Sequence, residues 1–115
     1  MMNEIDLDAA RAALLAERVR LIAEVGETIL APEQMTYGSQ AAAASQVFEQ
    51  QRDLALRDRA VAQQALVDAA LARLDDRTFG TCVRCGKPIT VARLEALPWA
   101  AYCIDCQRVV DRGGR

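Results

Sequence analysis

The sequence predicts a mainly α-helical protein, in which an antiparallel hairpin of two long helices precedes a small module built around four cysteines and a short final helix. Three observations lead to this prediction. Ala, Leu, Glu, Gln and Arg dominate the chain of 115 residues, a composition typical of long helices. Apolar residues recur at helical spacing before residue 77. All four cysteines lie after it, in two matched pairs.

The first helix is predicted to span about residues 3–30. It should end near Leu30, because Pro32 disfavours helical geometry at the residue before it. Three acidic residues lie at its start, where free N–H groups and the positive end of the helix dipole favour carboxylates: Glu4, Asp6 and Asp8. Its apolar residues recur at steps typical of an amphipathic helix: Leu7, Leu14, Leu15, Leu21, Ile22, Val25 and Ile29.

The second helix is predicted to span about residues 39–76, with Ser39 as its N-cap. At about 1.5 Å per residue it would reach roughly 55 Å, longer than a compact core of this size needs. Two such helices joined by a short connection form an antiparallel coiled-coil hairpin, here residues 1–77 with a tip at about 31–46. Two apolar series repeat every seven residues, and both are expected to pack in the seam: Val47, Leu54 and Val61, and Ala60, Val67 and Leu74.

The predicted tip lacks charge. Fifteen residues, Gln34 to Phe48, separate Glu33 from Glu49 without a charged side chain, in a chain that is 26 % charged. One interpretation is a strong helix start at Ala41 to Ala44, with nearby apolar residues in the seam. The other is a neutral, partly apolar contact surface. That surface would contain Met35, Tyr37, Val47 and Phe48.

The cysteines have the spacing of a four-thiolate metal site. Cys82 and Cys85 form one C-x2-C pair, Cys103 and Cys106 form the other, and seventeen residues separate the pairs. Disulfides and four buried free thiols are the alternatives. The acidic N-terminus is no signal peptide, so a reducing cytoplasm is expected, and two matched pairs are unlikely to arise by chance, so metal ligation is favoured. With no histidine in the chain, the site must be all-sulfur, which selects Zn²⁺ first and a single iron second.

The module of residues 78–115 has further landmarks. Gly86 is expected to adopt a left-handed conformation that turns backbone N–H groups toward sulfur. Two helical turns are predicted between Val91 and Leu97, and a last short helix from about Asp105 to Arg112. A Zn²⁺ bound by four thiolates carries a net charge of −2, and three nearby cations are candidates to offset it: Arg84, Lys87 and Arg93.

Charge and composition exclude several functions. Residues 1–76 hold seven Arg and thirteen Asp or Glu, a net charge of −6, whereas residues 77–115 have a net charge of +4. An acidic hairpin is not expected to read DNA sequence. No apolar run is long enough for a membrane span. Without histidine, a phosphate-cradling glycine loop or an open metal position, an enzyme is not expected.

The residues around the cysteines form an extended pattern over about residues 78–108: Phe79-Gly80-x-Cys82-x-x-Cys85-Gly86-x-x-Ile89-x-x-x-Arg93-Leu94-x-Ala96-x-Pro98-x-Ala100-x-x-Cys103-x-x-Cys106-Gln107. This pattern closely resembles the C4 zinc finger of the DksA/TraR family of bacterial transcription regulators. The resemblance implies one structural Zn²⁺ in a finger packed against the base of a coiled-coil hairpin. It also implies RNA polymerase as the partner, with the hairpin entering its secondary channel.

The sequence departs from the family at the tip. The best-studied members carry aspartates there, whereas the corresponding segment of this chain, about Gln40 to Ala43, has no carboxylate. The main prediction is therefore a cytoplasmic zinc-binding regulator that binds RNA polymerase. A zinc-stabilised interaction or assembly protein with another partner is the first alternative, and a rubredoxin-like iron protein that carries electrons is the second.

Overall fold

The computed structural model describes residues 5–30 and 40–113, with side-chain surroundings for residues 5–26 and 43–113. Four helices form in these ranges: α1 (Leu7–Leu30), α2 (Gln40–Asp76), α3 (Val91–Ala96) and α4 (Ile104–Asp111). Apart from one antiparallel bridge between Thr81 and Pro88, the described residues contain no strand pairing. The mainly α-helical prediction is confirmed. No helix in the described ranges has the length and apolar character that a membrane crossing requires.

The start of α1 is set by Asp6. Its side-chain Oδ1 accepts a hydrogen bond from the Ala9 N–H at 3.0 Å, and its carbonyl accepts from the Ala10 N–H at 3.0 Å. Asp6 is therefore an N-cap that satisfies donors left free in the first turn. Of the acidic residues predicted to favour this helix start, Asp6 caps it and Asp8 lies in its first turn, while Glu4 lies outside the described residues.

The chain forms two compact units, Met1–Arg18 with Ala65–Arg115, and Val19–Gln64. In the first unit α1 and α2 are antiparallel, as two ion pairs between them show. Arg11 pairs with Asp75 at 3.1 Å and Arg18 pairs with Asp68 at 2.8 Å. Exposed ion pairs of this kind contribute roughly 0–1 kcal/mol each, so they mark the register more than they stabilise it.

Burial identifies the residues of the seam between α1 and α2. One predicted series of step seven is buried, with Ala60 at 5 %, Val67 at 0 % and Leu74 at 9 % exposure. On α1 and elsewhere on α2 the buried residues are Ala10, Leu14, Leu21 and Ala70. Seam packing was also expected for the second series, and that expectation is wrong. Each helix of a hairpin has only one long neighbour, so only one narrow stripe can be covered.

The second series and the end of the predicted tip instead face solvent. Val47, Leu54 and Val61 are 51 %, 55 % and 48 % exposed, and Phe48 is 75 % exposed. The seam interpretation of Val47 and Phe48 is therefore wrong as well. Residues 31–39, which contain Met35 and Tyr37 and most of the predicted tip, lie outside the described residues.

The exit from α2 is a Schellman motif with an unusual residue. The Thr78 N–H bonds the Arg73 carbonyl at 2.9 Å and the Arg77 N–H bonds the Leu74 carbonyl at 3.3 Å, the two bonds that define this motif. Its left-handed position, usually glycine, is Arg77 with φ of 65°. A side chain with a Cβ is strained in that region. The motif turns the chain directly into the cysteine module.

Replacing Arg77 with glycine should stabilise the protein. Glycine removes the Cβ strain, and after the entropy that glycine loses on folding we expect a gain of about 0.5–1 kcal/mol in the free energy of unfolding. Urea denaturation followed by circular dichroism measures it. The control is Arg77→Ala, which deletes the same side chain but keeps the strain. Equal stabilities of the glycine and alanine variants would contradict the interpretation.

Candidate metal centre

The first cysteine pair lies on a tight turn closed by backbone hydrogen bonds. The Cys82 N–H donates to the Lys87 carbonyl at 2.8 Å, and the Gly86 N–H donates to the Cys82 carbonyl at 2.9 Å. Gly86 has φ of 79°, which confirms the predicted left-handed conformation and suits a residue without a Cβ. The turn is held at its base by the Ile89 N–H, which donates to the Gly80 carbonyl at 2.7 Å.

The second pair lies at the start of α4. Cys103 is the N-cap residue, and its carbonyl accepts from the Gln107 N–H at 2.8 Å, so Cys106 lies in the first turn on the same side. The Val83 N–H donates to the Ala101 carbonyl at 2.9 Å. That bond connects the first turn to the chain just before the second pair and brings the two pairs together.

The four predicted ligand residues converge on one point. The Sγ atoms of Cys82, Cys85, Cys103 and Cys106 all lie within 4.8 Å of one another, and those of Cys85 and Cys103 are 3.8 Å apart. Four sulfurs bonded to Zn²⁺ at about 2.3 Å in tetrahedral geometry are separated by about 3.8 Å. The donor set and its spacing therefore fit a four-thiolate zinc site.

Burial of the site is uneven. Cys82 and Cys106 are 1 % and 5 % exposed, Cys103 is half-buried and Cys85 is exposed. Cys82 and Cys106 also belong to the core of the module, together with the buried residues Ile89, Leu94 and Ala100. Around them pack Ile5, Phe79, Leu97 and Tyr102. The sulfurs are thus enclosed by apolar side chains on one side and accessible to solvent on the other.

The two buried thiols, those of Cys82 and Cys106, have pKa values shifted in opposite directions. Burial disfavours the Cys82 thiolate, but hydrogen bonds from backbone N–H groups of Cys103, Cys85 and Arg84 and from the Cys85 thiol outweigh it. Together they lower the pKa of Cys82 to about 6. The Arg84 guanidinium favours the Cys106 thiolate, yet burial and the other three thiol groups raise the pKa of Cys106 to about 11. Protons and a divalent cation therefore compete for this cluster, and a bound cation allows all four sulfurs to be thiolates.

The three cations expected near the sulfurs have different roles. Arg84 donates from Nη1 to the Cys106 Sγ at 3.5 Å, and that sulfur raises the pKa of Arg84. Arg93 instead donates from Nε to the Tyr102 carbonyl at 3.0 Å and from Nη2 to Gln107 Oε1 at 3.3 Å. Lys87 is exposed. Arg93 therefore stabilises the backbone that leads into the second cysteine pair. Of these three cations, Arg84 is the one that donates a hydrogen bond to a sulfur.

Sequence reasoning missed two residues that support the module. Arg73 of α2 donates from Nη2 to the carbonyls of Trp99 and Ala100, each at 3.4 Å, and partial burial lowers its pKa. Ile5 packs against the module core from the position just before the α1 cap. An apolar residue immediately before an N-cap is a known packing signal, so Ile5 was detectable from the sequence. The partners of Arg73 were not, because they lie more than twenty residues away.

Comparison with known proteins extends the similarity beyond the cysteines. The prokaryotic dksA/traR C4-type zinc finger model matches residues 77–112. A Caulobacter vibrioides protein named RNA polymerase-binding transcription factor DksA is 33 % identical over 116 residues, covering 99 % of this chain and 82 % of the relative. The Escherichia coli protein of that name is 34 % identical over 112 residues, covering 96 % and 74 %.

A solved structure supports the same relationship at the level of the fold. Transcription factor DksA2 from Pseudomonas aeruginosa superposes with a TM-score of 0.75 at 28 % identity, covering 92 % of this chain and 83 % of that one. Both comparisons extend over the long helices as well as the four-cysteine module. The similarity is therefore a property of almost the whole chain.

Proposed function

Because the chain belongs to the DksA/TraR family of C4-type zinc-finger proteins, we propose that it is a transcriptional regulator that binds RNA polymerase. The observation that carries this proposal is the identity of 33 % to 34 % with relatives named RNA polymerase-binding transcription factors, over 96 % or more of the chain. Similarity confined to the finger would support a metal site alone. Similarity along both long helices supports a common mode of action.

The hairpin is the proposed contact element, entering the secondary channel of the polymerase. Support comes from apolar side chains that the seam leaves uncovered. Within Val19–Gln64 the exposed large apolar residues are Val19, Ile22, Val47, Phe48, Leu54, Leu56 and Val61. Large apolar side chains left exposed in this number on a helical element favour a protein-binding surface. We expect Phe48, the most exposed aromatic residue in the part of the chain whose side-chain burial is described, to contribute strongly to binding.

The finger is proposed to hold one structural Zn²⁺ through Cys82, Cys85, Cys103 and Cys106. The ion supplies a cross-link between two chain segments and charge that offsets four thiolates. We propose residues 1–77 as the polymerase-binding hairpin and residues 78–115 as the finger that supports it. The zinc-loaded protein should be colourless, whereas iron in the same site, as in an electron carrier, would colour it red.

A pull-down of core RNA polymerase by the full-length, zinc-loaded chain tests the function. We expect saturable binding at micromolar protein concentration. Phe48→Ala should weaken it about tenfold, equivalent to about 1.4 kcal/mol. The control is Leu7→Ala, which removes a 52 % exposed apolar side chain from the first turn of α1 and should leave binding unchanged. No binding by the wild-type chain at micromolar concentration would refute the polymerase proposal.

A second candidate function rests on the uncharged segment Gln34 to Phe48. Family members with aspartates at the tip place acidic groups near the catalytic magnesium, and Gln40 to Ala43 offer none. The alternative is an interaction or assembly protein whose neutral tip binds another protein. Failure to bind polymerase, with zinc bound, would favour it. In both cases we propose a cytoplasmic protein without enzymatic activity and without sequence-specific DNA contacts.

A further inference from the structure

Arg84 occupies a position that connects the two cysteine pairs. It lies between Cys82 and Cys85, yet its guanidinium reaches the sulfur of Cys106 in the other pair at 3.5 Å. The backbone bond from the adjacent Val83 N–H to the Ala101 carbonyl, 2.9 Å long, keeps the two segments close enough for this contact. The side chain therefore spans from one half of the site to the other.

The contact is suited to a thiolate that also binds metal. Four thiolates around Zn²⁺ leave two negative charges on the site, and a guanidinium donates N–H bonds without accepting any. Hydrogen bonds to ligand atoms from outside the coordination sphere orient the ligands and tune the metal. At Cys106 this donor is the guanidinium of Arg84. Arg93, the other arginine close to the cysteines, donates to the Tyr102 carbonyl and to Gln107 instead.

We propose that Arg84 is a positioning residue that slows zinc release by holding Cys106 on the metal. This inference rests on the zinc site proposed above. For a chelator to take zinc from this site, the Cys106 sulfur would have to move away from its present position. The guanidinium and the 5 % exposure of Cys106 both oppose that movement, because the sulfur keeps a charged hydrogen-bond donor only while it stays in place.

The test compares the zinc release rates of the wild type and two variants of the full chain. Arg84→Gln removes the charge that contacts sulfur. Arg108→Gln removes an equal charge from α4, where Arg108 pairs with Asp105 at 3.4 Å instead of a thiol. Each zinc-loaded protein is mixed with excess EDTA, and the remaining zinc is followed over time. We expect about tenfold faster release from Arg84→Gln, the lower end of the effect of ligand-supporting residues, because Arg84 is exposed.

A spectroscopic readout separates positioning from general destabilisation. With Co²⁺ in the site, the sulfur-to-cobalt charge-transfer band reports the energy of the thiolate electrons. Loss of a cationic N–H donor raises that energy, so the band of Arg84→Gln should move to longer wavelength, while that of Arg108→Gln should match the wild type.

Two outcomes would overturn the inference alone, and a third would overturn the proposed metal site on which it rests. Equal release rates and bands for wild type and Arg84→Gln would show that the contact has no effect. An equal acceleration by both substitutions would assign the effect to overall charge. If the wild-type chain itself binds no stoichiometric zinc, the proposed zinc site fails. The first two outcomes would leave the proposed zinc site intact.

Discussion

Replacing Cys82 with serine should abolish zinc binding and unfold residues 78–112, while most of the helical signal remains. Structural zinc in small cysteine-rich modules contributes on the order of 10–16 kcal/mol of binding energy that is also folding energy, more than a finger of this size gains from apolar burial. α1 and α2 contain 24 and 37 residues, whereas α3 and α4 contain 6 and 8. Most of the circular dichroism at 222 nm should therefore persist.

Zinc stoichiometry by elemental analysis and amide hydrogen exchange across the module check this expectation. Ala100→Ser is the matched control, because it also places a hydroxyl in the core of the finger, at a residue 6 % exposed, but leaves all four sulfurs. The control should retain one zinc per chain. A Cys82→Ser protein with full zinc and native exchange protection in residues 78–112 would refute the assignment of Cys82 as a ligand. Cys103→Ser should behave like Cys82→Ser.

The cysteine module was predictable because its signals are local. Two intervening residues per pair bring two sulfurs together whatever surrounds them, and a turn of this kind favours glycine at the left-handed Gly86. The C-terminal ends of α1 and α2, Leu30 and Asp76, also lie where they were predicted. The start of α1 was predicted too early, near residue 3, because Asp6 caps a helix that begins at Leu7. Such features depend on residues within a few positions of each other. They are therefore visible in the sequence before any tertiary contact is known.

The seam was only half predictable. Two series on α2 have the same spacing of seven residues. The series Val47, Leu54 and Val61 is the more apolar, yet the buried series is Ala60, Val67 and Leu74. Which stripe is covered depends on how α2 is rotated against α1. That rotation involves residues far apart in the chain, as the pairing of Arg18 with Asp68 shows. Periodicity identifies a helix face, but it does not identify the partner of that face.

Which cation contacts a thiol could not be predicted from the sequence either. Arg84, Lys87 and Arg93 are equally near the cysteines in sequence, and net charge alone makes them equivalent. Arg84 meets the sulfur of Cys106 and Arg93 meets the Tyr102 carbonyl, because the direction of each side chain depends on the turn that carries it. A contact between the first cysteine pair and α4 arises only after both pairs have folded onto each other.

The seam yields the second large expected effect: Leu14→Ala should lower the free energy of unfolding by about 2–5 kcal/mol. Leu14 is fully buried at 0 % exposure, in the stretch of α1 between Arg11 and Arg18, which pair with Asp75 and Asp68 of α2. Truncation there removes apolar burial and leaves a cavity between two rigid helices. A domain of ordinary stability has about 5–15 kcal/mol in total, so the loss is a large fraction of it.

Leu15→Ala is the control that isolates packing from helix propensity. Leu15 is the next residue of the same helix and is 47 % exposed, and both substitutions replace leucine with alanine, so their intrinsic helix propensities change equally. Urea denaturation of the zinc-loaded proteins, followed at 222 nm, should give a loss below about 1 kcal/mol for Leu15→Ala, since a half-exposed side chain leaves no cavity. Equal losses for the two variants would mean that Leu14 does not pack in a seam. The pairing of α1 with α2 would then need a different register.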